Sequence, residues 1–170
     1  QSTLLYAFNF YYMKDIGYNS KMRELHNYSN VARFPLYAMI DLTYRCNFRC
    51  VHCYNRLMGR HSCQSRELST KDIFHIIDQL VEMGTYNLGF TGGEPLLRKD
   101  LLTLLLYARK KGLRVTIFTN GFFINSHICD VFKSLGIYVD ISMHGATKEI
   151  FEKITQVKGA YKRVMQSIGL

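Results

Sequence analysis

From residue 68 onward, apolar residues recur with two alternating periods. Ser69 and Asp72 form a capping box, and Ile73, Ile76, Ile77 and Leu80 follow at spacings of three and four, which predicts a helix with one buried face. Gly84 after Met83 stops it, and Tyr86–Thr91 reads as a short strand. The unit then repeats. A helix over about Asp100–Lys111, stopped by Gly112, leads to a strand over Leu113–Thr119. A helix from about Ser126, stopped by Gly136, leads to a strand over Ile137–Ser142. An earlier strand, Leu36–Leu42, precedes the series, and the chain reaches Leu170 in what reads as one more helix. Residues 1–34 are tyrosine-rich and less periodic. They read as an N-terminal extension or linker, with a core domain over 35–170.

Strands alternating with helices imply an α/β fold with parallel pairing and right-handed crossovers. The unusual residues all follow the carboxyl ends of strands. Cys46–Cys53 follow the first strand, Thr91–Pro95 the second, Thr119–Gly121 the third and Ser142–Gly145 the fourth. That is the face on which barrels and open α/β sheets build their sites.

Cys46, Cys50 and Cys53 have the spacing C-x3-C-x2-C. Three neighbouring thiolates can hold a metal centre and leave one coordination position open for chemistry. Taken alone, the spacing also suits a zinc knuckle or three unrelated buried cysteines. His52 and Cys63 are the nearest further donors, at unusual spacings for a caged structural site.

The 170 residues suit one domain with a real core, and 48% hydrophobic and 14% aromatic content describes a globular chain. Apolar runs such as Leu101–Leu106 are short, so no membrane span is expected, and no secretory signal pattern is visible. The chain opens on Gln1 rather than Met, so upstream sequence is expected. Five cysteines, three of them in one cluster, fit a reducing compartment and a cytoplasmic protein. The net charge of +9 is concentrated: Arg45, Arg49, Arg56, Arg60 and Arg66 surround the cysteines, and no acid lies between Asp41 and Glu67. Basic and aromatic residues interleave there, as in nucleic-acid modules. The favoured reading is instead that the arginines offset an anionic iron–sulfur centre and steer an acidic electron donor such as a flavodoxin or ferredoxin.

Together these motifs resemble the radical S-adenosylmethionine superfamily, over roughly residues 36 to 170, through the cysteine loop and the Gly92-Gly93-Glu94 turn. Leu42-Thr-Tyr-Arg-Cys-Asn47, Cys53-Tyr-Asn55 and Ser142-Met-His-Gly-Ala-Thr147 look like the branch with an extra C-terminal cluster-binding (SPASM or twitch) region. That branch includes peptide and protein maturases and some haem-pathway enzymes. The molybdenum-cofactor cyclase shares the look of Gly92–Arg98 but usually has Asp-Ser where this chain has His144-Gly145.

The resemblance implies a partial (β/α) TIM-like barrel, truncated after about four βα units. It implies a [4Fe-4S] cluster on Cys46, Cys50 and Cys53, with S-adenosylmethionine on the fourth iron and reductive cleavage to a 5′-deoxyadenosyl radical. A peptide or protein substrate follows from the branch. Gly92, Gly93 and Glu94 resemble the site for the methionine amino group, with a plain strand-to-helix turn as the alternative. His52 holds the position that lies against adenine in the family. Asn120 and Ser142 are candidates for the ribose or the methionine carboxylate. His144 reads as a turn or supporting residue, Cys63 and Cys129 as spare thiols, and Met39, Met58 and Met83 as core filling. The family's fifth and sixth strands and any C-terminal cysteine-rich region are missing, so the chain reads as part of a longer enzyme. A non-enzymatic zinc or iron–sulfur nucleic-acid module is the alternative from another class.

Overall fold

A computed structural model describes residues 20–57 and 67–170. Four strands, β1 (Tyr37–Thr43), β2 (Asn87–Gly92), β3 (Arg114–Thr119) and β4 (Tyr138–Ile141), form one sheet in the order β1-β2-β3-β4. Every pairing is parallel, with Ile40 opposite Phe90, Phe90 opposite Ile117 and Ile117 opposite Val139. The sheet is open, an incomplete barrel wall.

Helices α3 (Thr70–Glu82), α4 (Leu101–Lys110) and α5 (Ser126–Leu135) cover one face. Alternate strand residues, Ala38, Ile40, Leu42, Leu88, Phe90, Val115 and Ile117, meet Ile73, Ile77, Leu80, Leu104, Leu105, Ala108 and Phe132 in the main core. The capping box forms as the sequence predicts: Ser69 Oγ accepts from Asp72 N–H, and Asp72 accepts from Ser69 N–H. Helix α4 starts one residue after Asp100 and has no side-chain cap, because the Asp100 carboxylate is engaged by Arg98 and Thr70 instead.

Two regions depart from the periodicity. Part of the stretch read as a linker is helix α1 (Ser20–Ala32), which ends at Arg33 with φ of 55°. Its Tyr28 and Val31 are exposed, so it presents no periodic buried stripe. The single final helix is two, α6 (Lys148–Thr155) and α7 (Ala160–Ile168), separated at Gln156, whose φ is 58°. Phe151, Ala160 and Val164 from this pair join Phe48 of the cysteine loop in a second, smaller core. No helix among the described residues is long and apolar enough to cross a membrane.

Candidate active site

The cysteine loop leaves β1 at Thr43, and its root is held from three sides. The Thr43 hydroxyl and the Tyr44 N–H both donate to Glu67. The Arg98 guanidinium donates to the Leu42 carbonyl (2.8 Å) and the Leu68 carbonyl (2.9 Å), and clasps Asp100 at 2.7 and 3.0 Å. That hydrogen bonding holds the Asp100 carboxyl below its ordinary range. From the third side, Gly93 N–H donates to Thr43 O (2.7 Å) and Glu94 N–H to Arg45 O (2.8 Å). A Cβ on Gly92 would collide with Thr43 O, and one on Gly93 with Arg45 O. Gly92 also has φ of 123°. The glycine pair therefore lets the end of β2 lie directly against the backbone that carries Cys46.

A short helix, α2 (Tyr54–Leu57), follows Cys53. The far side of the loop rests on α6, where Arg49 N–H donates to Thr155 O (2.9 Å) and Val51 N–H to Ile154 O (3.0 Å). All three cysteines are partly buried, free thiols. The Cys46 sulfur accepts from Phe48 N–H (3.4 Å) and from Asn120 Nδ2 (3.8 Å). Burial dominates, and the Cys46 thiol is pushed up to about 11. Burial, then the neighbouring Cys53, raises Cys50. A cavity of about 230 Å³ beside Cys46 is lined by Phe48, Arg49 and Arg56.

The other predicted residues gather at the same end of the sheet. Glu94 is fully buried: Oε1 accepts from Thr119 Oγ1 (2.7 Å) and Leu96 N–H (3.0 Å), and Oε2 from Asn120 N–H (2.8 Å). Burial raises its carboxyl despite those three donors. It caps the 3-10 turn Pro95–Leu97 and ties the end of β2 to the end of β3. The Asn120 amide donates to Asn47 (2.7 Å) and Cys46, while its oxygen accepts from Phe122 N–H (2.9 Å). Ser142 is exposed at the end of β4, its N–H on Thr119 O (2.9 Å). His52 is exposed, with its ring edge-on to His144 at 5.1 Å; burial, then His52, lowers His144. Sequence reasoning missed Phe48 and Phe151, and saw Arg98 only as part of a motif. A phenylalanine between two cysteines was the one available signal. Cys129 lies on α5, away from the loop; Cys63, Met58, Arg60 and Arg66 lie outside the described residues.

The chemistry of this donor set, three thiols on one loop, suits an iron–sulfur cluster. Among the described residues, no three His, Cys, Asp or Glu side chains converge closely enough to hold one metal ion. A multi-iron cluster takes one thiolate per iron and accepts a wider set. The donors are all soft sulfur, as such clusters require. Asn55, two residues past Cys53, is 1% exposed with neither polar side-chain atom partnered, and Thr155 Oγ1 under the loop is likewise unpaired. Buried polar atoms of this kind mark a place where a partner is expected.

The fold and site together define an α/β protein with an incomplete parallel barrel and a three-thiol loop at the carboxyl ends of its strands. Residues 40–170 match the Radical SAM superfamily, and the chain belongs to that family. Its cofactors are accordingly S-adenosylmethionine and a [4Fe-4S] cluster. The chain is 38% identical over 129 residues to Fe-coproporphyrin III synthase of Methanosarcina barkeri (strain Fusaro / DSM 804), which covers 75% of this chain and 32% of that protein. In fold it is similar to Streptococcus suis SuiB bound to precursor peptide SuiA, with TM-score 0.67, 20% identity, and coverage of 94% of this chain and 37% of SuiB. Native anSMEcpe with bound AdoMet gives TM-score 0.64 and 18% identity over 77% of this chain and 38% of that one. The chain thus spans about a third of the length of these relatives.

Proposed function

We propose that this chain carries the cofactor-binding part of an enzyme that reductively cleaves S-adenosylmethionine and uses the radical to modify a peptide or protein. The observation that carries the reading is the three-thiol loop, fixed between the Gly92-Gly93 turn and α6 at the strand ends. Cys46, Cys50 and Cys53 would hold the cluster, which with S-adenosylmethionine would supply one-electron radical chemistry there. The protein's own residues hold and orient. The hydrogen bonds from Phe48 N–H and Asn120 to Cys46 favour its thiolate and support the reduced cluster.

Glu94 acts beneath the methionine group by fixing Asn120 and the β2 turn, and His52 offers a ring face to adenine. Ser142 is an exposed hydroxyl for the ribose or carboxylate. Arg49 and Arg56, beside the Cys46 cavity, suit an acidic electron donor such as a flavodoxin or ferredoxin. A cytoplasmic setting belongs to this reading, because cluster ligands need a compartment that keeps thiols reduced. Fold likeness to SuiB and anSMEcpe, both also solved with peptides, supports a peptide substrate. The 38% identity to Fe-coproporphyrin III synthase supports a haem-pathway substrate as the second reading.

The test is anaerobic iron–sulfide loading of the full-length enzyme followed by a cleavage assay. Replacing Cys46, Cys50 or Cys53 by Ala is expected to abolish cleavage, with Cys63→Ala and Cys129→Ala nearly neutral. Glu94→Ala is expected to keep the brown cluster and weaken S-adenosylmethionine binding by calorimetry. Colourless protein holding tight zinc would overturn the reading.

A further inference from the structure

The geometry points to Phe151 as the positioning residue through which α6 fixes both the cysteine loop and His52. Phe151 is fully buried at the centre of the smaller core. Its ring meets Phe48 at 6.2 Å and 86°, an edge-to-face pair, and Tyr161 at 5.8 Å and 66°. It also lies 6.1 Å from the His144 ring, and His144 is the ring against which His52 rests. One side chain thus reaches the loop by two routes, at Phe48 between Cys46 and Cys50, and at His52 beside Cys53.

The helix that carries Phe151 makes the matching backbone contacts. The carbonyls of Ile154 and Thr155, at the end of α6, receive the N–H groups of Val51 and Arg49. Phe48 in turn supplies the N–H that reaches the Cys46 sulfur. If the Phe151 ring is removed, Phe48 is left with its edge-on contact with Phe122 at 5.9 Å, and the loop backbone that carries its N–H to Cys46 is held less firmly. Donors to a ligating sulfur help set a cluster's reduction potential. Phe151 therefore tunes the thiol loop from within the core against which Cys46 and Cys50 pack. Hydrogen exchange of the Arg49 and Val51 amides, whose acceptors lie on α6, separates the side chain's share from that of the backbone bonds in a Phe151 variant.

The experiment has two arms on the full chain, and only the second rests on the proposed function. In the first, metal-free Phe151→Leu and Phe151→Ala proteins are alkylated with iodoacetamide under native conditions and the rate at each cysteine is read by mass spectrometry. Cys129 on α5 is the internal reference, and Leu104→Ala, a cavity variant in the main core, is the control. The expected result is a rise of about fivefold or more at Cys46 and Cys50 relative to Cys129, a selectivity Leu104→Ala does not show. Phe151→Leu keeps an apolar side chain and covers the case in which Phe151→Ala fails to fold.

In the second arm the loaded cluster is titrated with reductant and followed by electron paramagnetic resonance. Weakening of the N–H···S bond is expected to lower the equilibrium constant for one-electron reduction by about tenfold, about 59 mV. Unchanged relative alkylation in Phe151→Leu overturns the inference, as does an unchanged potential in a folded, loaded variant. A wild-type chain that takes no iron–sulfur cluster sinks the functional reading, while the alkylation arm still decides the role of Phe151.

Discussion

Two glycines of β2 and its turn show how differently a missing side chain can matter. At Gly93 an added Cβ meets the backbone carbonyl of Arg45, which cannot move without moving the cysteine loop. At Gly89 the nearest atom is the Tyr37 hydroxyl, 2.6 Å from an ideal Cβ and at the free end of a side chain. Gly93→Ala is therefore expected to cost about 2–3 kcal/mol and Gly89→Ala clearly less, by chemical denaturation. Single charges are equally position-dependent. Burial raises the Cys46 thiol from 9.0 to about 11 in the folded chain. Between those values the folded state binds more protons than the unfolded one, so stability falls as pH rises through that window. The metal-free protein is expected to lose thermal stability from pH 9 to 11, and Cys46→Ala to lose that part of the slope. Glu94 has the same sign in acid: its carboxyl is raised from 4.5 by burial, so stability falls as pH climbs upward from there. Melting temperatures of the wild type and Glu94→Gln across that range would show it, with the variant flatter.

At the scale of elements, what could be read in advance was what short-range physics determines. Ser69 and Asp72 cap α3 three residues apart, and Gly84, Gly112 and Gly136 turn helices into strands locally, so the βα order and the strand-end placement of the cysteines were legible. The long-range contacts were not. Asn120 reaches Cys46 across 74 positions, and nothing near Thr119-Asn120-Gly121 announces it. Glu94 was legible as a strand-end carboxylate, but its three internal donors come from Leu96, Thr119 and Asn120, and only the first is a neighbour in sequence. Helix α1 was illegible because it buries little, and the split between α6 and α7 because Gln156 adopts a left-handed φ that its type does not advertise. The α6–α7 pair yields a prediction at this scale. Val164 is fully buried in the smaller core, so Val164→Ala is expected to cost about 1–2 kcal/mol by denaturation. Its effect should centre on the loop: hydrogen exchange of Arg49 and Val51 amides, whose acceptors lie on α6, should quicken while exchange in β2 stays slow.

For the molecule as a whole, the sheet is covered on its α3–α4–α5 face and progressively uncovered toward β4. The β4 residues Tyr138 and Val139 are 52% and 39% exposed, against full burial of Leu88 and Phe90 at the sheet centre. Among the described residues only β3 pairs with β4, so the other edge of β4 presents unpaired backbone donors and acceptors beside the exposed Tyr138 and Val139, with Asp140 the one charge on the strand. Met143 and Ile150, in the segment that follows, extend the exposed apolar surface. An edge of this kind templates pairing with another chain, and charge on it is the usual protection. Overall net charge opposes association, and +9 on 170 residues is substantial, but long-range repulsion is screened within about 8 Å at physiological salt. The edge should therefore win as salt rises. The 170-residue chain is expected to self-associate in sedimentation measurements, more strongly at high ionic strength, and Val139→Lys to restore a monomer with unchanged circular dichroism. Monomeric wild-type chain at high salt would mean that the β4 edge is protected by something other than charge.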